Sequence, residues 1–70
     1  MDYHNCGNIS WGHRTFNVWI SSLDMSVWIN DDNDPNAAKF LTGQKMSSFN
    51  DNRAKEISLQ WLRDSGAFGE

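Results

Sequence analysis

The chain has 70 residues, which is enough for one domain and too few to enclose a large ligand pocket. Aromatic residues make up 13% of it, which is too much apolar bulk for a disordered segment. The net charge is −3 and the basic residues are scattered, so the composition argues against direct binding to a nucleic-acid backbone.

The N-terminal segment is the least patterned part of the chain. We predict a single domain over residues 1–70, in which residues 1–14 are partly irregular. Within that segment, residues 8–11 could add a short strand, and residues 12–14 would form the turn after it.

The triplet Val-Trp-Ile occurs twice, at residues 18–20 and at residues 27–29. Apolar residues alternate on both sides of residues 21–24, which is the period of a β-strand. A four-residue turn at 21–24 would therefore fold the repeat into a hairpin. The predicted cross-strand pairs, all on one face, are Ile20 with Met25, Val18 with Val27, and Phe16 with Ile29. Trp19 and Trp28 would then lie on the opposite face.

A helix over residues 16–29 is the alternative, and it would belong to an all-α domain of three helices. Apolar residues would then surround nearly the whole helix. Because such a helix is difficult to accommodate in a small domain, we favour the hairpin.

Two helices are predicted in the second half. The dipeptide Asp34-Pro35 is typical of a helix start, and Gly43 could end a short middle helix. A longer helix is predicted over residues 50–64, with Ser48 or Asn50 as its cap and Gly66 at its end.

The apolar stripe of the longer helix would cover the hairpin. Its members are predicted to be Ala54, Ile57, Trp61 and, more loosely, Leu62. Trp61 would then lie against Val18 and Val27. The predicted fold is α+β, a two-layer domain in which a hairpin, or three short strands, is covered by the C-terminal helix.

The candidate metal ligands do not form a recognisable motif. His4, Cys6 and His13 lack the paired spacing of zinc modules. Residues 31–36 resemble the start of a calcium loop. Counted from Asp32 as position 1, however, position 6 is Ala37 instead of Gly and position 12 is Gly43 instead of Glu. We expect no metal and no cofactor, and no enzymatic activity, because no nucleophile or acid–base motif is present.

The excess of tryptophan is the feature that points to a function. Exposed tryptophan is enriched at protein interfaces, and Trp19, Trp28 and Trp11 are the candidate contact residues. Acidic side chains are expected around them. The predicted acidic rim consists of Asp24, Asp31, Asp32 and Asp34.

We therefore expect a small module that acts by occupying the surface of a protein partner. Its acidity suits a partner with a basic, nucleic-acid-binding surface, which it could bind as a partial DNA mimic. Phage-encoded inhibitors of host defence, including anti-CRISPR proteins, are small chains of this style. This parallel rests on the size and composition of the chain, and no sequence motif supports it.

Two other functions fit the same sequence. A self-associating structural or assembly protein, such as a homodimer, could pair through a strand edge or a tryptophan patch. A metal-dependent nucleic-acid-binding module would have to use His4, Cys6 and His13. The sequence contains no segment typical of a secretory signal or a membrane span, and its single cysteine cannot form an internal disulfide. We expect a cytoplasmic protein that does not bind membranes, located in the host cytoplasm if it is phage-encoded.

Overall fold

A four-stranded antiparallel sheet followed by one helix makes up the fold. The computed structural model describes residues 2–34 and 36–69. The strands follow one another across the sheet in chain order. The elements are β1 (Tyr3–Trp11), β2 (Arg14–Ser21), β3 (Ser26–Asp31), β4 (Phe40–Lys45) and α1 (Asp51–Ser65). The predicted α+β class is confirmed, and the all-α alternative is wrong.

The helix covers one face of the sheet, which we call the inner face; the opposite face is the outer face. The inner layer is aliphatic and aromatic, and α1 completes it with Ala54 and Leu62. The strand residues at its centre, all without exposed surface, are Phe16, Val18, Ile20, Val27 and Ile29. Burial of these side chains, at about 25 cal/mol per Å², is the main source of stability.

The central hairpin forms, and its side chains lie on the predicted faces of the sheet, but the pairing register differs from the prediction. Val18 pairs with Ile29 and Ile20 with Val27, a shift of two residues from the expected pairs. The turn is longer because Met25 adopts a left-handed conformation, with φ of 63°, and its N–H donates to Ser21. Since side chains alternate with period two, a two-residue shift leaves every residue on its predicted face.

β1 is longer than the expected strand at residues 8–11 and includes a β-bulge. Asn5 pairs with Trp19 and Gly7 pairs with Val18, so Cys6 is the extra residue. Gly7 has φ of 109°, a conformation that glycine adopts readily and other residues rarely do. Cys6 is buried in the core, and the bulge places Ile9 on the inner face opposite Phe16.

The predicted middle helix is absent and a strand is found in its place. Residues 36–39 form a turn and an irregular segment, and β4 begins at Phe40. Pro35, on which the helix start depended, lies outside the described residues. Pairing with the free edge of β3 outweighs the helical propensity of Ala37 and Ala38. A bulge in β4 lets the Thr42 hydroxyl donate to the Val27 carbonyl at 2.9 Å.

The C-terminal helix is confirmed, with its predicted caps. The Asn50 side chain accepts a hydrogen bond from the Arg53 N–H, and Gly66 ends the helix with φ of 63°. Leu62, rather than Trp61, is the fully buried anchor. Trp61 is half-buried at the edge of the core and lines an open groove of about 490 Å³ beside Gln44 of β4.

Candidate functional site

Three aromatic rings meet on the outer face, and we call Tyr3, Trp19 and Trp28 the aromatic cluster. Trp19 and Trp28 pair directly across β2 and β3. The Tyr3 ring contacts both indoles edge to face, with centroids 6.4 Å from Trp19 and 5.9 Å from Trp28. All three side chains are half-buried, so the cluster is held in place without being covered.

Hydrogen bonds fix the orientation of both indoles. Trp19 Nε1 donates to Asn30 Oδ1 at 2.8 Å, and Trp28 Nε1 donates to Ser26 Oγ at 2.7 Å. The Ser26 hydroxyl donates in turn to Asp24 at 2.6 Å. Each indole N–H therefore has a partner within the outer face, and the rings are preorganised.

A lysine from the segment before β4 is seated on the aromatic cluster. Lys39 Nζ lies 4.7 Å from the ring centroid of Tyr3 and 4.8 Å from that of Trp19. Both distances are within the range of cation–π attraction. Leu41, half-exposed on β4, pairs with Trp28 and extends the apolar surface to the edge of the sheet.

The third predicted contact tryptophan lies elsewhere. Trp11 follows the buried Ile9 by two residues, so it lies on the inner face, where it packs at the edge of the core. Its Nε1 is the one buried side-chain nitrogen or oxygen without a hydrogen-bond partner among residues 2–34 and 36–69. The structure therefore brings together two of the three predicted tryptophans, and adds Tyr3 to them.

The acidic residues are divided between the two ends of β3. Asp24 lies in the turn before it, where hydrogen bonds from the side chain and backbone of Ser26 lower the carboxyl pKa. At the other end lie Asp31, Asp32 and Asp34. Their carboxylates accept hydrogen bonds from neighbouring groups, as Asp31 does from the N–H of Asn33 and Asp34 from that of Asn36. Asp32 accepts from the Asn8 amide.

A second group of reactive side chains lies where β1 meets the start of α1. The ligand atoms of His4, Cys6 and Asp51, which we call the His–Cys–Asp cluster, all lie within 4.8 Å of one another. His4 Nε2 is 2.8 Å from Asp51 Oδ1. His13 lies in the turn at the opposite end of β1, so the predicted grouping of His13 with His4 and Cys6 does not form.

The chemistry of this cluster is set by burial and by one hydrogen bond. Burial, followed by the negative charge of Asp51, raises the pKa of the Cys6 thiol to about 12. The hydrogen bond with His4 is the main cause that lowers the pKa of the Asp51 carboxyl. At neutral pH Cys6 is therefore a protonated thiol, which makes it a poor nucleophile.

Sequence patterns did not assign Tyr3 to the aromatic cluster or Asp51 to the His–Cys–Asp cluster. They also missed Lys39 and Asn30, which contact the aromatic cluster. Tyr3 and Lys39 lie in segments whose strand or loop state is decided by pairing with distant strands. Asn30 and Asp51 did have a detectable signal. A polar residue at a buried strand position needs a partner, and an acid in the first helical turn is available to a neighbouring imidazole.

Comparison of the chain with protein-family models, curated proteins and solved structures gives no match, so the functional argument depends on its own residues. Within the described part of the chain, no helix has both the length and the apolar character needed to cross a bilayer.

Proposed function

We propose that the protein is a small binding module whose aromatic cluster takes up a lysine or arginine side chain of a protein partner. One observation carries the proposal: an ammonium group, that of Lys39, is already seated 4.7 Å and 4.8 Å from two of the rings. A surface that holds its own cation has the shape and electrostatics to hold that of another protein.

The rings are ready to bind because they need no rearrangement. Trp19 and Trp28 are fixed by Asn30 and Ser26, so little side-chain entropy remains to be lost when a partner docks. Lys39 is the group that must leave. An exposed cation–π contact contributes only about 0.5–1 kcal/mol, so a partner that buries more surface can displace it.

Charge favours a basic partner. The net charge is −3, and aspartates lie beyond both ends of β3, with the aromatic cluster between them. An apolar centre flanked by acidic groups complements a lysine-rich or arginine-rich surface. Proteins that handle nucleic acid have such surfaces, and occupying one would block it. The proposed activity is therefore that of a cytoplasmic phage-type inhibitor, as anti-CRISPR proteins and partial DNA mimics are.

A short lysine-containing peptide tests the recognition step without a known partner. We expect peptide binding to shift the indole N–H signals of Trp19 and Trp28 in nitrogen–proton spectra. Trp19→Ala leaves the net charge unchanged and should weaken binding about tenfold, whereas Lys39→Met should strengthen it by removing the internal competitor.

The control is Phe49→Ala, which removes an exposed ring outside the aromatic cluster and should leave peptide affinity unchanged. Circular dichroism of each variant verifies the fold. Equal affinities for the folded Trp19→Ala variant and the unaltered protein would show that charge alone attracts the peptide, and the proposal would be wrong.

The inhibitory step has its own test, made on a partner captured from a host lysate by the unaltered protein and lost with Trp19→Ala. Nucleic acid added to the complex should release the partner, because both would bind one basic surface. A stable ternary complex would contradict inhibition by occupation, while leaving recognition by the aromatic cluster intact.

Self-association is the second candidate, and the edge of the sheet favours it. Among the described residues β4 is an edge strand of the sheet, and its residues Phe40 and Leu41 are 45% and 50% exposed. Such an edge can pair with a second copy. Sedimentation velocity at two concentrations separates the candidates: a dimer that Leu41→Lys disrupts supports pairing through β4, and a monomer at both concentrations rules it out.

A further inference from the structure

The His–Cys–Asp cluster brings three kinds of ligand atom to one point. An imidazole nitrogen, a sulfur and a carboxylate oxygen lie within 4.8 Å of one another. Among the described residues, this is the one place where three histidine, cysteine or acidic side chains converge in this way. His4 and Asp51 are 47 positions apart in the chain, so the fold, and not local sequence, assembles the group.

The pairing of β1 with β2 places two of the three ligands on the inner face. His4 pairs with the inward-facing Ile20, and Cys6 is the extra residue of the bulge, buried on the same face. Asp51 opens α1 directly beside them. The bulge shifts the part of β1 that follows these two ligands by one position, which places Ile9 on the inner face opposite Phe16.

We propose that His4, Cys6 and Asp51 bind a divalent transition-metal ion of the zinc class, with a fourth coordination position open to water. Zinc accepts nitrogen, sulfur and oxygen ligands at about 2.0–2.3 Å, which places neighbouring ligand atoms of a tetrahedral site about 3.5 Å apart. The His4–Asp51 distance of 2.8 Å and the outer limit of 4.8 Å bracket that value. Side-chain shifts of about 1 Å would complete the site.

The mixed ligand set selects among metals. A thiolate favours zinc, cobalt or another borderline-soft ion over magnesium and calcium, which prefer oxygen ligands alone. When it coordinates, Cys6 gives its proton to solvent and the metal–sulfur bond forms. His4 and Asp51 are each about half-exposed, at 43% and 46% of their side chains, so an ion can reach the site from solvent.

One positive group opposes the ion. The end of the Lys55 side chain lies beside Gly7, 3.1 Å from where a β-carbon would be. Its charge acts on both Cys6 and Asp51. The ammonium group therefore repels a bound cation and lowers the affinity of the site. Removing this charge with Lys55→Met should tighten metal binding.

Cobalt(II) alone is the probe, because a cobalt–thiolate bond gives a near-ultraviolet charge-transfer band and a four-coordinate site gives intense visible bands. We expect both to appear at one equivalent and to disappear when zinc is added. His4→Gln and Asp51→Asn, at half-exposed positions, should each lower cobalt affinity by about tenfold or more. Lys55→Met should raise it.

His13→Gln is the matched control, since it removes the other histidine at the far end of β1 and should leave the titration unchanged. Cys6→Ser should abolish the charge-transfer band, and urea unfolding of that variant verifies that it is folded. Absence of the band from the folded, unaltered protein at millimolar cobalt would overturn the proposal. So would unchanged affinity in both His4→Gln and Asp51→Asn.

Discussion

The two faces of the sheet solve the problem of large apolar side chains in different ways. At the centre of the inner face, five side chains without polar groups are completely buried: Phe16, Val18, Ile20, Val27 and Ile29. On the outer face, Trp19 and Trp28 remain half-buried, and hydrogen bonds from their indole nitrogens fix them. The inner face stabilises by exclusion of water, whereas the outer face preserves a defined shape that water and partners can reach.

The largest expected effect tests the inner layer. Phe16→Ala should lower the free energy of unfolding by about 3–5 kcal/mol, because it empties a fully buried position beneath α1. A domain of this size has a total stability on the order of 5 kcal/mol, so the variant should retain at most about 2 kcal/mol and be only marginally stable. Urea unfolding followed by circular dichroism measures it. A loss below 1 kcal/mol would contradict the layer assignment.

The next effect concerns the bulge. Gly7→Ala should cost about 1–3 kcal/mol, because φ of 109° is a conformation that alanine adopts only with strain. The contact with the end of Lys55 adds little, since that flexible side chain can move. Urea unfolding of Gly7→Ala alone and combined with Lys55→Ala separates the two causes.

We expect the second substitution not to restore the lost stability of Gly7→Ala. Recovery in the double variant would show that crowding, and not backbone strain, is the cost at this position.

The sequence predicts the elements that local patterns define, and it fails where distant strands decide the structure. Alternation identifies β2 and β3 because both faces of each strand carry distinctive residues, and the caps at Asn50 and Gly66 identify α1. The register fails because Met25 takes a left-handed conformation that no glycine or asparagine signals. β4 fails because alanine and lysine favour a helix locally, whereas the open edge of β3 is a tertiary effect.

The candidate sites follow the same division. Period-two geometry alone assigns Trp19 and Trp28 to a shared face, so the centre of the aromatic cluster is predictable. Lys39 joins it through a loop whose path depends on β4, and no sequence pattern reports that. The His–Cys–Asp cluster depends on where α1 docks against β1, so Asp51 cannot be paired with His4 and Cys6 from spacing alone.

A smaller effect tests how the outer face holds its rings. Asn30→Ala should cost about 1–3 kcal/mol, because the Trp19 indole N–H loses its acceptor in a half-buried position. In a Trp19→Phe background, the same substitution should cost less, since no donor is left unpaired. A double-mutant cycle by urea unfolding measures the coupling, for which we expect about 1 kcal/mol. Zero coupling would show that the hydrogen bond does not orient the ring.

The smallest effect compares the carboxylates that serve the two faces. Asp24 supports Trp28 through Ser26, and hydrogen bonds from Ser26 lower the pKa of the Asp24 carboxyl below its ordinary value of 3.8. Asp51 pairs with His4, and the hydrogen bond with His4 lowers the pKa of the Asp51 carboxyl below the same value. A depressed pKa means that the folded state binds its proton less readily than the unfolded chain does. Each contribution is therefore present above pH 3.8 and is lost as pH falls through the lower, folded value.

Urea midpoints measured across that range should fall with acid, and Asp24→Asn and Asp51→Asn should each flatten the fall. Because both carboxylates are exposed, salt should reduce the effect at Asp51, where the charge of His4 contributes, more than at Asp24, where hydrogen bonds from Ser26 outweigh the charge of Lys45. An equal response of both variants to salt would show that the pair with His4 has no ionic component.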